Sequence, residues 1–273
     1  MKLTLIVLNL LIWNNISYGQ TEDKVLAEAY LLYNSEKASW NGTDIFLERF
    51  PEKRNLIGGY FSYSENDSHN CIFFDQNEIP EVLAKITFDE SFNVTKAVVD
   101  TVKRKFNNYE MDLFQIRKNA LAEINTDNDL FKQYNNTNLN PIPIISGKDK
   151  KVFVLTGPTI SGVVVLGNDY LLTFDKNNNL KEKKSLHKNI IPIEYDDKTK
   201  DAVTMHSHLK TTGNLITSTD LCTIMLYEKY ANWKQHIVIS KKNVSLWDCK
   251  KDKLVVMTRK AWEKISEHQN KKK

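Results

Sequence analysis

The residues best equipped for chemistry lie between Ala202 and Tyr230, in AVTMHSHLKTTGNLITSTDLCTIMLYEKY. His206 and His208 close an apolar run, and Thr217 and Asp220 open a segment with helical apolar spacing. In an extended strand, residues two apart share a face, with α-carbons roughly 6.6 Å apart at a rise of about 3.3 Å per residue. The two imidazoles can therefore aim at one ion while Ser207 turns away. Neutral imidazole is a common zinc ligand, and a carboxylate from elsewhere completes a three-ligand site that keeps a position for water. Asp220 is available for that part, because the loop LKTTGNLITST is long enough to fold back and a first helical turn favours an anion. The same residues also have a purely structural reading. Thr217-x-x-Asp220 at a helix start is a capping box, in which the threonine accepts from a backbone amide and the acid reaches back.

A strand, a loop and a helix must place these side chains, and the flanking sequence has that order. AVTMH reads as a strand and Ser218 to Ala231 as a helix, followed by strands at QHIVIS, VSLWD and KLVVMT and a last helix near RKAWEKISEH. Before them come KVFVLTG, SGVVVLG, DYLLTFD and LKEKKSLH, with turns at Gly167-Asn168 and from Lys176. Further upstream, Glu22 to Ala38 has one apolar side, and LIGGYFSYS, HNCIFFD, EVLAKITFD and TKAVVDTVKRKF have strand character. At NNYEMDLFQIRKNALAEI the period becomes helical, with Asn107 and Glu110 spaced as a second capping box. The polar, proline-containing Asn125 to Pro143 reads as a connection, so a boundary is expected near Gly147. The fold class is α+β or α/β: an N-terminal antiparallel sheet with helices over residues 21–146, and a mixed sheet with a central helix over 147–273.

Residues 1–20 have the layout of a secretory signal peptide: Lys2, an apolar core from Leu3 to Trp13, and a polar end with Gly19 before Gln20. This predicts an exported protein, periplasmic or secreted, with no later apolar run of the roughly 20 residues a membrane span needs. A formal charge of +4, with lysines scattered among acids, gives little support to nucleic-acid binding. The 41% apolar and 26% charged composition is that of a folded globular chain. Of the three cysteines, Cys222 and Cys249 are the pair an exported chain would oxidise, three buried thiols being the alternative to Cys71 with one such bridge. His187 reads as a surface histidine after a lysine-rich hairpin and His69 as a turn residue. His236, at the start of QHIVIS, reads either as a support for the site or as a half-buried strand residue.

HSH at His206 to His208, followed by TSTD at Thr217 to Asp220 and an apolar helix, resembles the His-x-His…Ser-x-x-Asp signature of the JAMM (MPN or JAB) metalloproteases. The resemblance extends over most of Lys151 to Thr258 and implies a cytidine-deaminase-like mixed sheet. It implies zinc held by His206, His208 and Asp220, and cleavage of an amide or isopeptide bond. Thr217 stands in the serine's place, where its hydroxyl would assist a developing oxyanion. The chain departs from the pattern at three points. The gap from His208 to Asp220 is one residue longer than usual, Leu209 replaces a proline, and GPTISGVVVLG lacks the upstream glutamate that serves the family as general acid and base. Glu194 is the nearest upstream glutamate and is the expected substitute, with Glu182 a poorer one. The implied substrates are envelope or secreted peptides and proteins. A binding or structural protein that keeps the fold without the chemistry is the competing expectation.

Overall fold

A computed structural model describes residues 21–196 and 198–270; the expected signal segment lies outside them. The chain begins with α1 (Glu22–Arg49), whose N-cap Thr21 accepts from the Lys24 amide. A 3-10 turn (Pro51–Leu56) leads into β1 (Ile57–Glu65), β2 (Ser68–Asp75) and β3 (Glu81–Phe88), then β4 (Val98–Asp100) and β5 (Arg104–Lys105). These form one antiparallel sheet in the order β1-β2-β3-β4, with β5 also paired to β3. The capping box of Asn107 and Glu110 then starts α2 (Asn108–Thr126). Strands β6 (Thr137–Ser146), β7 (Asp149–Pro158), β8 (Val163–Gly167), β9 (Tyr170–Phe174), β10 (Leu180–Ser185) and β11 (Ile190–Glu194) follow. They divide into a β10-β9-β7-β6 sheet and a β11-β8 pair. Gly147, where a boundary was expected, lies in the hairpin turn between β6 and β7, and residues 137–146 pair with 149–158 across it.

The last sheet has the order β12-β13-β14-β15, from β12 (Ala202–Ser207), β13 (Trp233–Ile239), β14 (Asn243–Asp248) and β15 (Lys253–Thr258). Between β12 and β13 lies α3 (Ser218–Tyr227), and α4 (Arg259–Asn270) follows β15. Strands β12 and β13 pair in parallel, the others antiparallel. A parallel pair needs a crossover, and α3 supplies it. The expected α+β class with an N-terminal antiparallel sheet is what the chain adopts. None of the described helices is long and apolar enough to cross a membrane.

Helix α1 runs past Ala38, where its apolar pattern fades, because it is packed along its whole length. Val25 and Ala29 join Leu221, Ile224, Val164 and Trp247 in one core cluster. Leu32 meets Cys222, Leu226 and Phe153, and Ala38, Ile45 and Phe46 meet Cys71, Phe73 and Ile86. Gly42, inside α1, is required by the close approach of α1 to β2: a Cβ there would lie 2.7 Å from Cys71 Cβ. Burial of each large apolar side chain stabilises by about 1.5–3 kcal/mol, which outweighs a glycine's propensity cost of about 1 kcal/mol. The expected Cys222–Cys249 bridge does not form. All three cysteines are free, Cys222 facing the Leu32 cluster and Cys249 packing against the Trp247 cluster instead.

Candidate metal centre

The burial of β12 alternates as a half-buried strand should, and His206 is buried while Ser207 is exposed. The backbone continues its pairing one residue further, His208 N donating to Ile239 O at 2.9 Å, so His208 returns to the buried side. The following loop is pinned by Ile216, fully buried, whose amide donates to Ser245 Oγ at 3.1 Å. Helix α3 then starts with a complete capping box. Asp220 N donates to Thr217 Oγ1 at 3.0 Å and Thr217 N donates to Asp220 Oδ2 at 3.1 Å. The ends of β12 and α3 thus bring His206, His208, Thr217 and Asp220 together. The ligand-face nitrogens converge: His206 Nε2 is 3.0 Å from His208 Nε2 and 3.7 Å from Asp220 Oδ1, and His208 Nε2 is 3.0 Å from Asp220 Oδ2.

The outer nitrogens are tied to partners. His208 Nδ1 donates to Leu215 O at 3.0 Å. A carbonyl can only accept, so in the neutral ring Nε2 is left as a lone pair facing the Asp220 carboxylate. His206 Nδ1 lies 2.8 Å from His236 Nε2, and His236 Nδ1 lies 2.7 Å from Thr204 Oγ1. His236 is therefore fully buried and supports His206 directly, rather than sitting half-buried on its strand. Burial pushes His206 down to about 4, against the pull of Asp220, and His236 down to about 3. Both are neutral rings near pH 7, the form that binds a metal.

His187 corrects the expectation of a surface position. It is 8% exposed, with Nε2 3.3 Å from Asp220 Oδ2 and 3.5 Å from Thr217 Oγ1, and Nδ1 3.4 Å from Asp169 Oδ2. Asp169 is aimed by the chain reversal at Gly167, which has φ +83°, and a Cβ there would lie 2.3 Å from Asn189 O. Its Oδ1 accepts from Thr156 N at 3.0 Å. Burial opposes a charged His187, but Asp220 and Asp169 outweigh it and hold the ring up to about 10. Burial likewise opposes charge on Asp220, while His187 and His206 hold its carboxyl well below the usual range. The ligand atoms of His187, His208 and Asp220 lie within 4.8 Å of one another, and this buried group could hold a metal ion. Among the described residues Asp220 Oδ1 is buried without a hydrogen-bond partner, so the carboxylate has an oxygen to offer.

One expected site residue lies elsewhere, and another lies in the site with its hydroxyl otherwise engaged. Glu194 ends β11 on its exposed side, paired with Val163, and makes none of the cluster's polar contacts. The Thr217 hydroxyl donates to Asp220 Oδ2 at 2.7 Å, so its proton is engaged in holding the carboxylate rather than free for an oxyanion. His69 is also no turn residue: it is buried on β2, stacked on Phe92 with ring centroids 4.4 Å apart. His187 and Asp169 do not fit the glutamate pattern expected upstream of His-x-His. The available signal was a histidine entering β11 and an Asn-Asp pair leaving a glycine turn, both ahead of His-x-His. Compared with protein-family models, curated proteins and solved structures, the chain has no match.

Proposed function

We propose that this centre binds zinc and that the chain is an exported, zinc-dependent amide or isopeptide hydrolase of the JAMM-like type. The observation that carries the reading is the convergence of His206 Nε2, His208 Nε2 and the Asp220 carboxylate at separations of 3.0, 3.0 and 3.7 Å. A tetrahedral zinc ion with bonds of about 2.0–2.1 Å sets its ligand atoms about 3.3 Å apart, and the separations of His206 Nε2 from His208 Nε2 and from Asp220 Oδ1, 3.0 and 3.7 Å, lie on either side of that distance. Zinc so held would supply Lewis acidity and lower the pKa of a water in its open position. The protein's part is orientation: Leu215 O fixes His208, and His236 with Thr204 fixes His206. Thr217 and His187 hold Asp220 Oδ2, leaving Oδ1 for the ion.

A signal-like N-terminus supports a periplasmic or secreted site of action on envelope or secreted peptides and proteins. A second reading, a non-catalytic binding or structural protein that keeps the fold, is favoured by one observation: among the described residues no glutamate stands with the converging groups, and Glu194 is exposed elsewhere. Metal analysis of purified protein tests the first step, with one zinc per chain expected in the wild type and none in His208→Ala. Absence of stoichiometric zinc, with thermal stability unchanged in His206→Ala, overturns the metal reading. A peptide-library digest tests the second step: cleavage that disappears in His208→Ala and persists in Glu194→Gln is expected. Zinc without cleavage gives the second reading.

A further inference from the structure

Beyond the histidine centre, a cavity of about 250 Å³ lies where α1, β7 and α3 meet. Its walls include Trp40, Tyr60 and Tyr227 together with Asn140, Thr223 and the carboxylate of Glu36. Trp40 and Tyr227 meet edge to face with centroids 5.3 Å apart, fixing two aromatic walls. Glu36 is 6% exposed, and among the described residues only one of its oxygens is hydrogen-bonded: Oε2 accepts from Asn140 Nδ2 at 2.8 Å. Arg117, whose charge acts on Glu36, lies over the Tyr60 ring at 5.6 Å and donates from Nε to Pro141 O at 3.2 Å; among the described residues it forms no ion pair with Glu36. A buried carboxylate that forms no direct ion pair is costly, and burial pushes Glu36 up to about 7 against the Asn140 hydrogen bond and the charge of Arg117.

We propose that this cavity is a binding site for a small organic ammonium group, with Glu36 as its counter-ion and Trp40, Tyr60 and Tyr227 as its aromatic walls. A carboxylate among aromatic faces satisfies both needs of such a cation: charge pairing, and the attraction of the ring quadrupoles. The volume, just under the usual range of about 300–1,000 Å³ for ligand pockets, admits a short amine and excludes a large cofactor. The two sources of such a group are a free amine and the side chain of a peptide lysine. The site shares no polar contact with the zinc ligands, so it stands or falls separately from the hydrolase reading.

Calorimetric titration of the full chain at neutral pH with n-butylammonium, Nα-acetyl-L-lysine methylamide, n-butanol and butyrate tests it. Saturable binding of either ammonium compound, and of neither control, is expected; the lysine amide binding extends the site to peptide lysines, and butylammonium alone restricts it to free amines. Glu36→Gln keeps the shape and the Asn140 contact, and should weaken binding about tenfold or more while leaving zinc content unchanged. Trp40→Leu removes an aromatic wall without touching the carboxylate and should also weaken binding, which keeps the test decisive if Glu36→Gln folds poorly. Binding of butanol as tightly as butylammonium, or of neither ammonium compound, or unchanged affinity in both variants, overturns the proposal.

Discussion

Helices α2 and α3 start with the same device, and only one of them looks like a site. At α2, Asn107 and Glu110 exchange side-chain-to-backbone hydrogen bonds, and at α3, Thr217 and Asp220 do the same. Both carboxylates are buried. Glu110 is saturated: Arg104 donates to Oε2 at 2.6 Å and to Oε1 at 2.7 Å, Tyr63 to Oε1 at 3.1 Å and Asn107 N to Oε2 at 3.0 Å. Asp220 has imidazoles in place of the guanidinium, and among the described residues its Oδ1 has no hydrogen-bond partner. A guanidinium is permanently charged and matches a carboxylate with two parallel bonds. Imidazoles can give up the proton and offer lone pairs to an ion instead. The box fixes where the carboxylate points, and the neighbours decide whether it caps or coordinates.

The largest effect that would break this contrast is on metal-linked stability. Zinc at a thousand times its dissociation constant should add about 4 kcal/mol to the wild type. His208→Ala should abolish that increment, read as the difference between thermal melts with and without zinc. A wild-type melt that zinc does not move would put α3 in the same class as α2.

At α2 the expected loss is structural. Glu110→Ala leaves the Arg104 guanidinium unpaired and removes half the box. Breaking a fully buried pair costs about 3–5 kcal/mol, but Arg104 is 32% exposed, so about 2–3 kcal/mol is expected in denaturant unfolding. The zinc increment should survive unchanged. A Glu110→Ala variant that loses it would show that the two helix starts are coupled rather than independent.

The part of this contrast visible in the sequence is the part set by local spacing. Ser/Thr/Asn-x-x-Asp/Glu marks both boxes, and strand alternation puts His206 and His208 on one side. What the sequence hides is whatever arrives through topology. Arg104 reaches Glu110 from a strand of two residues, and His187, backed by Asp169, reaches Asp220 from the turns around β9 and β10. No period or motif links those positions to a helix start. The expected cysteine pair fails for the same reason: the helix turns Cys222 into the Leu32 cluster, and Cys249, just past β14, packs against the Trp247 cluster.

Acid sensitivity sharpens the comparison further. Burial alone would raise the Glu110 pKa, yet Arg104 and the Asn107 amide outweigh it and hold the carboxyl below the usual range. A lowered folded-state pKa stabilises above the unfolded value, near 4.5, and the stabilisation is lost as pH falls below it. Unfolding stability followed from pH 6 to about 2.5 should therefore decline less steeply in Glu110→Gln than in the wild type. Parallel curves would mean that Arg104 contributes no charge-dependent stability at α2.

The smallest expected effects come from the cap residues, and they divide the two helices most finely. Asn107→Ala and Thr217→Ala each remove one side-chain acceptor from a helix start, worth about 1 kcal/mol in either place. If the boxes did nothing but cap, the two variants would be interchangeable. Thr217 also donates its hydroxyl proton to Asp220 Oδ2 at 2.7 Å, and Asn107 makes no such bond to Glu110. Outer-sphere partners that orient a ligand typically carry about 10- to 100-fold in metal affinity. Thr217→Ala should therefore weaken zinc binding by about tenfold in a competition titration, and Thr217→Ser, which keeps the hydroxyl, should restore it. Asn107→Ala should leave zinc affinity alone while costing the same stability. Equal zinc affinity across all of these variants would reduce the Thr217 side chain to a cap, and the Asp220 carboxylate would then owe its position to the histidines and the Thr217 amide.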